Sequence, residues 1–279
     1  MPPGMTAKDV YQGVFSRHAA AYRDRLDRAL TRGEARGRRL LCARLAVRPG
    51  DRVLDLGCGP GTLTVLLAGA TGPAGLVVGV DLAPGMLALA RAAAPPQVAV
   101  VRMDMERLSL PDRAFDAVAC GHALQFCPDL PRALAEARRV LRPGARFAAS
   151  LPGSAPDTLA GRLLEGVLAR TLPPISEPPD GRATAELVRD PDRLRAALVD
   201  AGLAGVELSE VEEAAWCSGP AELVDQRLGW WTCAWRLEAA SAADRRRARA
   251  EALALLAERL GNGPLEIPGT TWVLSAVKP

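Results

Sequence analysis

Lysine is nearly missing from this chain of 279 residues, with only Lys8 and Lys278, and histidine is as scarce, with only His18 and His122. The net charge is only +3, which argues against a generally basic nucleic-acid binder. Arginine carries the positive charge, ten residues between Arg17 and Arg48 against Asp24, Asp27 and Glu34. Beside abundant alanine and glycine this preference reads as coding bias and the segment as solvated helix faces. The six cysteines, Cys42, Cys58, Cys120, Cys127, Cys217 and Cys233, form no C-x-x-C pair, and His122 completes no zinc spacing. Free thiols in a reducing compartment are expected, with no metal. The uncharged run 56–80 contains seven glycines and two prolines, so it divides into turn, helix, loop and strand and is no membrane span. No basic region leads into an apolar stretch at the N-terminus. These absences predict a cytoplasmic protein without membrane insertion.

With 49% hydrophobic residues, the chain can bury a full core, and one domain with insertions fits its length. Val53-Leu-Asp-Leu-Gly-Cys-Gly-Pro-Gly61 reads as a buried strand running into a glycine-rich turn. Gly57, Gly59 and Gly61 let the backbone approach a ligand, and a helix from about Thr62 points its N–H groups at it. A second strand, Leu76 to Val80, ends in Asp81, placed where an acidic side chain meets ribose hydroxyls in nucleotide-type βαβ sites. A third, Gln97 to Arg102, precedes Asp104. A fourth, Phe115 to Ala119, leads into Cys120-Gly-His122. Three strand ends thus converge polar groups on one crevice.

In order, the segments DLGCGPG, GVDLAPGML, RMDMERLSLPDRAFD and RVLRPGA resemble the motifs of class I S-adenosylmethionine-dependent methyltransferases, over roughly Val47 to Ser150. Dinucleotide dehydrogenases share the fold, but their third glycine comes one residue later. The resemblance implies an α/β, Rossmann-like, seven-stranded, mostly parallel sheet with helices on both faces. It would form a single domain, 1–279: an N-terminal helical cap (1–47), a cofactor-binding core (48–151) and an acceptor-side half (152–279) with a helical insert (219–268). It implies S-adenosylmethionine as cofactor, held by Asp55, Gly57, Gly59, Gly61, Asp81, Leu82, Met86, Asp104, Met105 and Cys120. Asp81 would take the ribose hydroxyls, Leu82 and Met105 would sandwich adenine, and Asp104 would accept from its amino group. Leu82 and Met105 as plain core, and Asp104 as a turn cap, are the competing structural readings. Ala145 stands where the family usually has a second glycine.

Val14 to Tyr22, with Asp24 beyond, resembles the entry segment of the ubiquinone and menaquinone methyltransferase group, so Tyr22 and His18 either approach the cofactor or pack the helix on the sheet. Val14, His18 and Tyr22 fall at helical spacing from Val10 to about Val47. Further strands are expected at 146–151, 206–211 and 271–277, helices at 129–141 and 191–202, and a loop over the strand ends at 172–179. In the insert, Val224, Leu228, Trp231 and Trp235 form one helical stripe. Trp230 falls off it and is the candidate pocket residue, with Phe126 as a second acceptor contact.

In methyl transfer an acceptor atom is placed in line with the methyl group and water is excluded. A phenol, enol or acidic carbon would be helped by a base, and His122, at the opening of the crevice, is preferred over His18; a loop histidine that only hydrogen-bonds backbone is the competing reading of His122. No Asn/Asp-Pro-Pro-aromatic motif follows the fourth strand, which favours oxygen or carbon acceptors, and the cysteines do not match an arsenite-methylating cluster. The leading expectation is methyl transfer to a small, largely apolar polyketide- or quinone-like acceptor. The alternatives are an S-adenosylmethionine-bound cyclase that transfers no methyl group, and a non-catalytic ligand-binding partner. A small molecule is the expected partner, no nucleic acid is, and a homodimer stays open.

Overall fold

The computed structural model describes residues 6–153, 157–174 and 184–279. Three helices come first, α1 (Ala7–Arg17), α2 (Ala19–Thr31) and α3 (Arg36–Leu45). Strands and helices then alternate as β1 (Arg52–Leu56), α4 (Thr62–Thr71), β2 (Leu76–Asp81), α5 (Pro84–Ala93), β3 (Val98–Arg102), β4 (Phe115–Gly121), α6 (Leu130–Val140) and β5 (Leu141–Pro152). After α7 (Leu159–Thr171) and α8 (Pro191–Asp200) come β6 (Ala204–Cys217), α9 (Pro220–Leu228), α10 (Trp231–Ala239), α11 (Ala242–Leu260) and β7 (Leu265–Val277). The strands form the expected seven-stranded sheet, in the order β3-β2-β1-β4-β5-β7-β6. Pairing from β3 through β5 is parallel, and β7 runs antiparallel to β5.

Strand alternation sends successive side chains to opposite faces, and both faces are covered. Leu54, Leu56, Val78 and Val80 join Leu130, Leu134, Leu194 and Leu198 in one core cluster. Their neighbours Val53, Val77, Ala117 and Ala119 join Leu41, Leu45, Leu63 and Leu67 in another. This double coverage explains why β1 is apolar on both sides and why its one acidic residue, Asp55, ends up fully buried.

Internal contacts divide the chain into two compact units: Met1–Ser154, Glu177–Val211 and Thr270–Pro279 form the first, Ala155–Ser176 and Glu212–Gly269 the second. The second takes in the whole insert 219–268 and has its own core of Leu164, Leu168, Val224, Ala252 and Leu256. In it, the Arg236 guanidinium donates to the carbonyls of Leu168 (2.6 Å), Leu172 (3.1 Å) and Pro173 (3.1 Å), which satisfies the orphan acceptors at the end of α7.

Several elements differ from expectation. Arg142-Pro-Gly144 does not separate helix from strand. β5 begins at Leu141, opposite Phe115, and the register shifts before Ala117. Pro143 lacks an N–H and Gly144 takes φ +77 with its N–H on the Lys278 carbonyl at 2.7 Å, so the turn signal becomes a bulge inside the strand. β6 and β7 extend well beyond 206–211 and 271–277 because β6 lies at the sheet edge, where polar residues are tolerated and apolar alternation fades. The tryptophan stripe is broken: α9 stops at Leu228, Gly229 caps it, and a new helix starts at Trp231. Trp235 is half-buried, so it is not the core anchor that the stripe suggests. Of the expected loop 172–179, residues 175–179 lie outside the described residues.

Candidate functional site

The chain runs β1, β2, β3 in one direction and returns to place β4 on the other side of β1. Such a switch point opens a crevice at the carboxyl ends of the strands, and a cavity of about 940 Å3, counting its open mouth, lies there. It belongs to the first unit and is lined by the loops after β1 to β4 together with α1, α2 and α3.

The three turn glycines do different work. Gly57 has φ +64, and a Cβ on it would lie 2.3 Å from the Ala123 Cβ. Gly61 has φ +86, and a Cβ would lie 3.1 Å from the Ala90 Cα, so its lack of a side chain lets α4 sit against α5. Gly59, at φ +54, has nothing within 4 Å of that position and fronts the cavity, whereas Gly61 is not in its lining.

Asp81 spans the turn: Oδ2 accepts the Gly59 N–H at 2.9 Å and Oδ1 the Ala83 N–H at 2.8 Å. Each oxygen keeps a further lone pair. Burial pushes its carboxyl above the ordinary range, and the backbone donors pull it back. Asp55 Oδ2 accepts from Thr64 Oγ1 at 2.6 Å, but its buried Oδ1 has no donor. Burial drives this carboxyl up to about 7, against the Thr64 hydrogen bond and the Arg38 charge. Asp104 is tied to the N-terminal helix, since Oδ2 accepts from Lys8 Nζ at 2.7 Å and Oδ1 from the Glu106 N–H at 3.0 Å. Glu106 also pairs with Lys8.

Leu82, Met86 and Met105 line the cavity. So do Tyr22 and Phe126, within a cluster that sequence reasoning missed. Phe126 meets Tyr11 (5.1 Å) and Phe15 (5.0 Å) edge-on, and Phe15 meets Tyr22 at 5.7 Å. Both tyrosines of the chain and two of its four phenylalanines therefore wall one cavity. Scarcity was the available signal, because three of these four rings fall within residues 11–22. Cys120 is placed elsewhere, fully buried among Leu54, Val118 and Phe147. His18 joins α1 to α2, half-buried and outside the lining. Trp230 belongs to the second unit, at the start of α10, and is 37% exposed.

His122 sits at the end of β4 with φ +56, its N–H on the Ser150 carbonyl (2.9 Å) and its Nδ1 2.8 Å from Ser150 Oγ. Burial first, then the charges of Arg38 and Arg25, push its pKa down to about 3. Arg38 is itself buried and donates from Nη1 to Thr62 Oγ1 at 2.7 Å. Among the described residues no group of three or more His, Cys, Asp or Glu side chains is arranged to hold a metal ion, and no helix is long and apolar enough to cross a membrane.

Residues 54–149 match the family model described as a methyltransferase domain. They form a class I methyltransferase domain. The chain is 37% identical over 153 residues to demethylmenaquinone methyltransferase of Symbiobacterium thermophilum, covering 52% of this chain and 61% of that one. It is 39% identical over 148 residues to 2-phytyl-1,4-naphtoquinone methyltransferase of Synechococcus elongatus, covering 51% and 63%. The chain thus spans about three fifths of the length of these curated relatives. The crystal structure of the (4+2)-cyclase SpnF shares the fold of the methyltransferase domain at a TM-score of 0.53 and 22% identity, with 88% of this chain and 80% of that one covered.

Proposed function

We propose that the chain transfers a methyl group from S-adenosylmethionine to an oxygen or carbon of a small, largely apolar, quinone-like acceptor. The observation that carries this reading is one cavity in which the glycine turn, the buried Asp55, the half-buried Asp81 and an aromatic wall meet. The residues fit the cofactor on independent grounds. Asp55 Oδ1 is buried and lacks a donor, and the cofactor's α-ammonium group would supply one. Gly59 leaves open space beside the turn, and Asp81 keeps lone pairs for the ribose hydroxyls. Asp104 would accept from an adenine amino group through a lone pair left beside Lys8.

When bound, the cofactor supplies an electrophilic methyl group on a positive sulfonium. The chain's own residues hold the reactants and exclude water. Edge-to-face rings from Tyr11, Phe15, Tyr22 and Phe126 form a rigid apolar wall against which a flat acceptor stacks. His122 gives a hydrogen bond in preference to taking a proton, because a site that holds imidazole near pKa 3 makes it a weak base at neutral pH.

Asp81→Ala removes the acceptors of two backbone N–H groups, those of Gly59 and Ala83, as well as the ribose contact. It should weaken S-adenosylmethionine binding by about 1 to 3 kcal/mol. Calorimetry on the folded variant checks this, and an unchanged affinity would remove Asp81 from the cofactor site. Product analysis with methyl-labelled cofactor tests the reaction itself: label in a quinone-like acceptor supports transfer, and an isomerised, unlabelled product would assign the chain to cyclisation instead.

A further inference from the structure

Arg38 is a charged group of the cavity wall that the proposed reaction has not used. Most arginines of the N-terminal helices keep their charge in solvent or against partners: Arg23 pairs with Asp27, and Arg44 donates to the Val273 carbonyl at 2.8 Å and to Ser209 Oγ at 2.5 Å. Arg38 is only 9% exposed, lines the cavity, and has one neutral hydrogen-bond partner, Thr62. Among the described residues no carboxylate reaches ion-pair distance of it. A buried guanidinium without a counter-ion is expensive unless an anion completes it.

The other acidic groups of the cavity are committed. Asp81 is held by two N–H groups, Asp104 and Glu106 by Lys8. Asp55 lies within electrostatic range of Arg38 but faces Thr64 and, in the reading above, the cofactor's ammonium. The strand order separates these groups. Asp81 ends β2 and Asp104 follows β3 on one side of β1, whereas Arg38 faces the end of β4 on the other. A Cβ on Gly121 would lie 4.0 Å from Arg38 Nη2, so the guanidinium adjoins the residue before His122. There the Ser150 hydroxyl holds the imidazole Nδ1, and no protein group among the described residues takes Nε2.

We propose that Arg38 and His122 together bind an ionised oxygen of the acceptor, so that the acceptor class is an acidic phenol or enol, including hydroxyquinones, bound as its anion. This rests on the methyltransferase reading. It also makes a base unnecessary, since the proton leaves to solvent as the acceptor binds. In the transfer, the acceptor oxygen or carbon forms its bond to the methyl carbon. The carbon–sulfur bond breaks, its electron pair goes to sulfur, and the acceptor's negative charge is cancelled. The methylated product is neutral and loses its hold on Arg38.

The test compares two probes with the protein saturated in S-adenosylhomocysteine: 2-hydroxy-1,4-naphthoquinone, an anion at neutral pH, and 2-methoxy-1,4-naphthoquinone, which is neutral. The wild type should bind the anion at least tenfold more tightly. Arg38→Met should abolish the preference without weakening the methoxy compound, and Arg38→Lys should keep part of it; the lysine variant decides the matter should Arg38→Met fail to fold. Equal affinities in the wild type, no binding of either probe, or a preference that survives in both variants would overturn the proposal while leaving cofactor binding intact. Failure to bind S-adenosylhomocysteine at all would overturn the methyltransferase reading and this proposal with it.

Discussion

Gly57→Ala should destabilise the first unit by about 3 to 5 kcal/mol, through left-handed backbone strain and overpacking combined. Its φ of +64 disfavours any side chain, and the new methyl group would stand 2.3 Å from the Ala123 Cβ. Ala123 cannot retreat easily, because it is buried and immediately precedes the turn Leu124–Phe126. Gly59→Ala should behave differently, costing about 1 kcal/mol of stability while placing a methyl group in the space where the cofactor is proposed to lie. Chemical denaturation read beside S-adenosylhomocysteine titration separates the two. If Gly59→Ala is the less stable protein, or binds cofactor as well as the wild type, this division of labour within the turn is wrong.

Stability should also depend on pH through Asp55. Its ordinary value is 3.8 and its folded value is about 7, so over that interval the native state holds a proton that the unfolded chain has lost. The resulting stabilisation is complete below about pH 4 and is lost as pH rises through about 7. Measured against Asp55→Asn, the wild type should lose on the order of 4 kcal/mol across that span, since each pH unit between the two values is worth about 1.4 kcal/mol. Taking the difference cancels His122, whose folded value near 3 against an ordinary 6.5 works in the opposite direction. Saturating S-adenosylhomocysteine should shrink the difference by giving Asp55 Oδ1 its donor. Urea unfolding of both proteins from pH 4 to 8 decides the matter, and a flat difference would mean that Asp55 is ionised throughout.

Local, repeated signals made the sheet legible. The apolar stretch before Gly57 and the loss of side chains at Gly57, Gly59 and Gly61 place β1, the turn and a helix starting at Thr62 without reference to the rest of the chain, and Asp81 follows from the same βαβ logic. What depended on docking was not legible. Val14, His18 and Tyr22 look like one face of one helix, but the helix breaks at His18, so Tyr22 rides on α2 while Tyr11 and Phe15 of α1 reach the cavity. Arg38 was indistinguishable in sequence from its solvated neighbours, because burial of a charge is decided by the element laid over it. Gly61 shows the converse limit: a motif glycine can be required by a neighbouring helix and face no ligand.

The confinement of both tyrosines to the cavity wall makes the protein its own reporter. Grown with 3-fluorotyrosine, it would give a fluorine spectrum of only two resonances, from Tyr11 and Tyr22, with no surface tyrosine to obscure them. Tyr22 lies with the Arg25 guanidinium 4.8 Å from its ring centre, and Tyr11 lies edge-on to Phe126, so the two signals would start well separated. Cofactor and acceptor could then be titrated in turn and their arrival watched from inside the site.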